Sequence, residues 1–71
     1  MGDVQRRERL HSKIRILEFC ILQTQNERNE INRKMQESIG DEFLDFFQEV
    51  AEIDQLLFQL KKEKQRIKDL L

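Results

Sequence analysis

The sequence predicts an all-α fold: an antiparallel helical hairpin with coiled-coil-like packing that pairs into a four-helix bundle. Its 71 residues include no Pro, Tyr or Trp and only two Gly, which is too few turn formers for a β-sandwich or a βαβ unit. Charged residues make up 38% of the chain, a composition typical of long helices and coiled coils. Apolar residues recur in alternating steps of three and four on both sides of Gly40, which indicates two heptad seams.

The first predicted helix covers about residues 4–39. Its seam is interrupted by polar residues, of which Arg28 is the largest. Two interpretations remain open here: either Arg28 lays its stem on Ile53 and sends its guanidinium to Asp54 or Glu49, or this part of the hairpin is frayed. The seam consists of Leu10, Ile14, Leu17, Ile21, Thr24, Arg28, Ile31, Met35 and Ser38.

The chain is predicted to reverse at about residues 39–41, around Gly40. The heptad frames before and after this glycine differ by one residue, which favours a reversal over one continuous rod. Gly40 suits a left-handed cap at the end of the first helix, and Asp41 can then cap the second. A parallel two-chain rod with a skip near Gly40 is the alternative.

The second predicted helix covers about residues 42–70 and has the more regular seam. A tight reversal places Ile14 opposite Ile67, and it brings Glu18 near Lys61. By the same register Lys34 falls near Glu49. The seam consists of Phe43, Phe46, Val50, Ile53, Leu57, Leu60, Lys64, Ile67 and Leu71.

A single hairpin domain of residues 1–71 is small for an independent core. Further apolar residues lie off the seams, including a stripe of Leu44, Phe47, Ala51 and Phe58, so we expect a second chain or a helical partner subunit to cover them. A homodimer with two-fold symmetry is the simplest assembly. The predicted oligomer or partner interface comprises Ile14, Leu17, Phe19, Ile21, Leu22, Phe46, Phe47, Val50, Leu57, Phe58 and Leu60.

Charge is concentrated in three blocks along the chain. Residues 1–15 and residues 61–71 each carry five basic and two acidic residues, whereas residues 16–60 carry three basic and ten acidic ones. A hairpin brings both basic ends to one pole, which could bind an anion such as a nucleic-acid phosphate. No aromatic residue lies among these basic residues, so base stacking is not expected. The candidate anion-binding residues are Arg6, Arg7, Arg9, Lys62, Lys64 and Arg66.

Catalysis has little support in the sequence. His11 and Cys20 are the only residues of their types; nine residues apart on one helix, they lie about 13.5 Å apart along its axis. They are also too few for a structural zinc site. We therefore predict a non-enzymatic oligomerisation or scaffold module without a cofactor, with a nucleic-acid-binding hairpin dimer as the alternative. We expect no transmembrane segment. Binding to an acidic membrane surface is left open as a further alternative. The lone cysteine predicts a cytoplasmic or nuclear location.

One helix carries a family resemblance. The run from Phe46 to Ile53, with its Phe-Phe, Val and Ile spacing, resembles the first helix of the syntaxin N-terminal regulatory bundle. The first helix of this chain has no counterpart there. The resemblance covers one helix of the two, and no function is carried over from it.

Overall fold

The computed structural model describes residues 2–71 as two α-helices, α1 (Gly2–Gln36) and α2 (Asp41–Asp69). The helices pack side by side as an antiparallel hairpin, with principal extents of 59 × 15 × 11 Å. The all-α hairpin predicted from the heptad spacing is thereby confirmed. The radius of gyration of the molecule is 16.6 Å, against about 11 Å for a compact globular chain of this length, so the hairpin is elongated.

The core is a single row of side chains between the two helices. One cluster brings Leu10, Ile14 and Ile67 together, with Leu17 packed against them. This cluster lies at the end of the hairpin opposite the turn, which we call the open end. Ile14 and Ile67 thus share one cluster, as the predicted register requires. All the buried residues are seam positions: Leu10, Ile14, Ile21, Val50, Leu57 and Ile67.

The polar middle of the seam is ordered rather than frayed. Arg28 donates two hydrogen bonds to Asp54, through Nε to Oδ1 and through Nη2 to Oδ2, the second at 3.3 Å. This hydrogen bond raises the pKa of Arg28 above its ordinary value. The Thr24 hydroxyl donates to the Cys20 carbonyl at 2.7 Å, so it needs no partner across the seam. Of the two interpretations of Arg28, the ion pair with Asp54 is the one observed.

The reversal occupies residues 37–40, so α1 ends earlier than the sequence indicates. The Ser38 amide donates to the Met35 carbonyl at 3.1 Å, and the Ser38 hydroxyl donates to the Lys34 carbonyl at 2.7 Å. These bonds use carbonyls that the end of a helix leaves unpaired. The turn is therefore held together by the last residues of α1 themselves.

Gly40, and not Asp41, is the N-cap of α2, which corrects the predicted cap. Gly40 has φ 70° and ψ −137°, so its φ is positive, as expected, but it is not in the left-handed helical conformation. Its carbonyl accepts a bond from the Leu44 amide at 3.3 Å. Because Asp41 already has helical backbone, its carboxylate acts on the helix dipole together with Glu42 in the first turn.

One predicted cross-helix charge pair forms with a different lysine. Glu18 pairs with Lys64 at 3.3 Å, and not with Lys61. Lys64 lies on the seam, and its long stem carries the ammonium group from there to the flank. Between residues 2 and 71, Lys34 and Glu49 form no ion pair.

Candidate oligomerisation surface

The structure divides the eleven predicted interface residues into two groups. Seven lie on the seam and face the other helix of the same chain. Of these, Ile14, Ile21, Val50 and Leu57 are buried, and Leu17, Phe46 and Leu60 are half-buried. The other four are exposed to between 56% and 67% of their surface: Phe19, Leu22, Phe47 and Phe58.

Charged residues mark the two sides of the seam. Glu18 and Asp54 come directly after the seam residues Leu17 and Ile53, and they flank one side of the seam. Lys13 and Glu63 come directly before the seam residues Ile14 and Lys64, and they flank the other side. On that second side, a hydrogen bond from Arg66 lowers the pKa of Glu63 below its ordinary value, and the charge of Lys13 lowers it further. The two flanks of the seam therefore carry different charged residues.

The exposed apolar residues cluster on the flank of Glu18 and Asp54. Leu22 lies one turn after Glu18, and Phe58 lies one turn after Asp54. Phe47 precedes Phe58 by roughly three turns of the same helix, and its ring centroid is 6.4 Å from that of Phe43. We call this surface the phenylalanine face and define it as Leu22, Leu44, Phe47, Ala51 and Phe58.

Phe19 lies outside the phenylalanine face. It is two residues from each of the seam positions Leu17 and Ile21, so it points roughly 160° away from them, to the outer surface of α1. One partner on the phenylalanine face therefore leaves Phe19 exposed. Phe19 and Phe58 are similarly exposed, at 60% and 67%, which makes them a matched pair for experiments.

The opposite flank carries a smaller apolar surface around Ile16. Ile16 lines a shallow groove with Lys13, Leu17, Glu63 and Ile67. On the same flank, Leu56 is 46% exposed. Leu56 is absent from the predicted interface, although its place directly before a buried seam leucine was a signal available in the sequence.

The predicted anion-binding residues fall into paired and unpaired sets at the open end of the hairpin. Lys64 pairs with Glu18, and the Arg66 Nε donates to Glu63 at 3.0 Å. Arg6, Arg7 and Arg9 are exposed and form no ion pair with any other residue between positions 2 and 71. Lys62 is likewise exposed and unpaired within residues 2–71, so the free positive charge among the predicted residues lies on the first turns of α1 and on Lys62 of α2.

The accessible surface of the hairpin is large for its mass. It amounts to 5917 Å², whereas a globular protein of 8.7 kDa is expected to expose about 4,700 Å². The excess of about 1,200 Å² is larger than the roughly 800 Å² that one partner contributes to a standard protein interface. The elongated shape of the hairpin therefore exposes more surface than a compact fold of the same mass.

Residues 2–71 contain neither a candidate metal cluster nor a helix able to span a membrane. No group of three or more His, Cys, Asp or Glu residues is arranged to hold a metal ion. Neither α1 nor α2 is sufficiently long and apolar to cross a membrane. Comparison of the chain with protein-family models, with curated proteins and with solved structures found no significant match.

Proposed function

We propose that this chain is a non-enzymatic assembly module whose hairpins pair through the phenylalanine face into a four-helix bundle. The observation that carries the proposal is the exposure of Phe47 and Phe58 on one flank of the hairpin, at 57% and 67%. Monomeric proteins tolerate scattered apolar residues on their surfaces, but they seldom leave continuous apolar stripes in water. A second helical surface would remove this stripe from water.

The apolar residues of the face can supply useful affinity. Full burial of a phenylalanine side chain contributes about 1.5–3 kcal/mol. Because Phe58 is 67% exposed in the hairpin, its contribution on association is roughly 1–2 kcal/mol per chain, or about 2–4 kcal/mol in a symmetric dimer. Loss of this side chain should then raise the dissociation constant by roughly 30-fold to 1,000-fold.

Sedimentation equilibrium tests the proposal directly. The wild-type chain should sediment as a dimer or a higher oligomer, and Phe47→Glu should shift it to the monomer because it places a carboxylate in the interface. Phe19→Glu is the matched control: it makes the same change of charge on the outer surface of α1 and should leave the mass unchanged. A stable wild-type monomer at high concentration would contradict the proposal.

The second candidate function, binding of nucleic-acid phosphates, is favoured by the unpaired arginines of α1. Arg6, Arg7 and Arg9 lie just beyond the first turn of α1 and form no ion pair within residues 2–71, so no contact within the hairpin accounts for their clustering. Binding through phosphates should weaken steeply as salt rises. A gel-shift titration of wild-type protein and of the triple Arg→Gln variant with a mixed-sequence RNA tests this, and no retardation at low salt would exclude it.

A further inference from the structure

We infer that the partner on the phenylalanine face is a second copy of this chain in antiparallel orientation, with α2 packed on the partner's α2 and the open end of each hairpin over the turn of the other. This inference rests on the proposed assembly function and specifies its geometry. Charge selects the orientation, and the spacing of the apolar stripe selects the register.

Two-fold symmetry allows two ways to stack the hairpins face to face. An axis along the helices sets the two open ends side by side, whereas an axis across the helices sets each open end over the partner's turn. The open end combines residues 1–15 and 61–71, each with five basic and two acidic residues. Residues 37–54, which include the turn and the start of α2, carry seven acidic residues and no basic one. Only the antiparallel stack places opposite charges together.

The stripe on α2 has one register that keeps its carboxylate away from large apolar side chains. Its positions are Leu44, Phe47, Ala51, Asp54 and Phe58, in steps of three and four. When Phe47 lies opposite the partner's Phe58, the reciprocal pair forms as well, and Ala51 lies opposite the partner's Asp54. Sliding the helices by seven residues, one heptad, in either direction places Asp54 opposite the partner's Leu44 or Phe58. Such contacts would remove water from the Asp54 carboxylate, which already accepts hydrogen bonds from Arg28. Desolvation of this charged group costs free energy.

The same register aligns one pair of charges that has no partner within the hairpin. Asp41 and Lys62 are exposed and lie on the edge of the stripe that points away from α1. Neither forms an ion pair within residues 2–71. With Phe47 opposite the partner's Phe58, Asp41 comes level with the partner's Lys62 to within about one turn, and the symmetry repeats this contact.

A distance measurement tests the orientation. Nitroxide labels on Asp69→Cys, in a Cys20→Ser background, report where the two C-terminal ends lie in the dimer. The antiparallel register places these positions about 50 Å apart, whereas a parallel stack places them within about 25 Å. Pulsed electron spin resonance resolves the two cases, and both substitutions lie off the phenylalanine face.

A charge swap tests the register. Asp41→Lys and Lys62→Glu should each raise the dimer dissociation constant by about 2- to 30-fold, because two exposed ion pairs are lost per dimer. The double swap restores opposite charges and should return the constant to within about twofold of wild type. A dimer with label distances below about 25 Å, or a double swap as weak as its single variants, would overturn the inference and leave the assembly function standing. A wild-type monomer would overturn both.

Discussion

The turn at Gly40 allows a sharp test of how the backbone sets the hairpin, because its two mirror-image alanine substitutions should have opposite effects. Gly40 has φ 70° and ψ −137°, a region that L-residues avoid. A Cβ atom at this position meets no atom within 4 Å. Any loss of stability on substitution by L-alanine therefore comes from the backbone and not from a clash with the fold.

The expected magnitudes follow from the two chiralities. L-Alanine in a sparsely populated backbone region costs about 1–3 kcal/mol. For D-alanine the same dihedral angles are the mirror image of φ −70° and ψ 137°, which is close to the polyproline II conformation that L-residues adopt freely. Gly40→D-Ala should stabilise the hairpin by about 0.4–1 kcal/mol, because it restricts the unfolded chain without straining the folded one.

Thermal unfolding of chemically synthesised chains measures this difference. A change of 1 kcal/mol shifts the Tm of a domain of this size by roughly 4–8 °C, so the L-alanine and D-alanine variants should differ in Tm by at least about 6 °C. All chains must be compared at one concentration, because association makes the Tm concentration-dependent. Equal Tm values for the two alanine variants would refute the assignment of a positive φ to Gly40.

Three further substitutions probe the seam and its flanks. Leu57→Ala should lower the free energy of unfolding in urea by about 2–3 kcal/mol, because Leu57 is 7% exposed; a loss below about 0.5 kcal/mol would contradict its place in the core. In the Phe47→Glu background, expected to be monomeric, Arg28→Leu should raise that free energy by about 1 kcal/mol, since leucine suits the seam and Asp54, with 49% of its side chain exposed, stays hydrated; a marked loss would show that the ion pair is needed for folding. The pKa of Glu63 is lowered mainly by Arg66, so its stabilising effect is present above the unfolded pKa and is lost as the pH falls through the lower folded one. Glu63→Gln should flatten that acid-side dependence in unfolding curves recorded between pH 3 and pH 6, and an unchanged slope would count against the pair.

The seam was predictable because heptad spacing is a property of the chain itself. Every buried residue, from Leu10 to Ile67, falls on a seam position, and the one-residue change of frame at Gly40 located the reversal. Heptad spacing also placed Arg28 within reach of Asp54. These features depend on local helix geometry and on one register, and both can be read from the positions of apolar residues.

The details that the sequence left open depend on backbone angles and on side-chain reach. Gly40 was expected to end α1 in the left-handed helical region, yet it caps α2 in a different conformation. Both options need a positive φ, and ψ is fixed only once the helices pack. Glu18 met Lys64 rather than Lys61, because a lysine stem can reach across a turn. The grouping of Phe19 with Phe47 depended on counting apolar residues without following their rotation around the helix.

The polarised charge that suggests an anion-binding pole also fits an antiparallel dimer, and the two explanations make opposing predictions. In the proposed dimer, Lys62 and its basic neighbours lie over the acidic turn of the partner, which lowers the local positive potential. Phe47→Glu, expected to be monomeric, should therefore bind RNA more tightly at low salt than wild type does, despite its added negative charge. Phe19→Glu carries the same added charge, should remain dimeric, and should bind no more tightly than wild type. Equal RNA binding by wild type and Phe47→Glu in a gel-shift titration would show that the pole is accessible in the assembly, so that association and phosphate binding use separate surfaces.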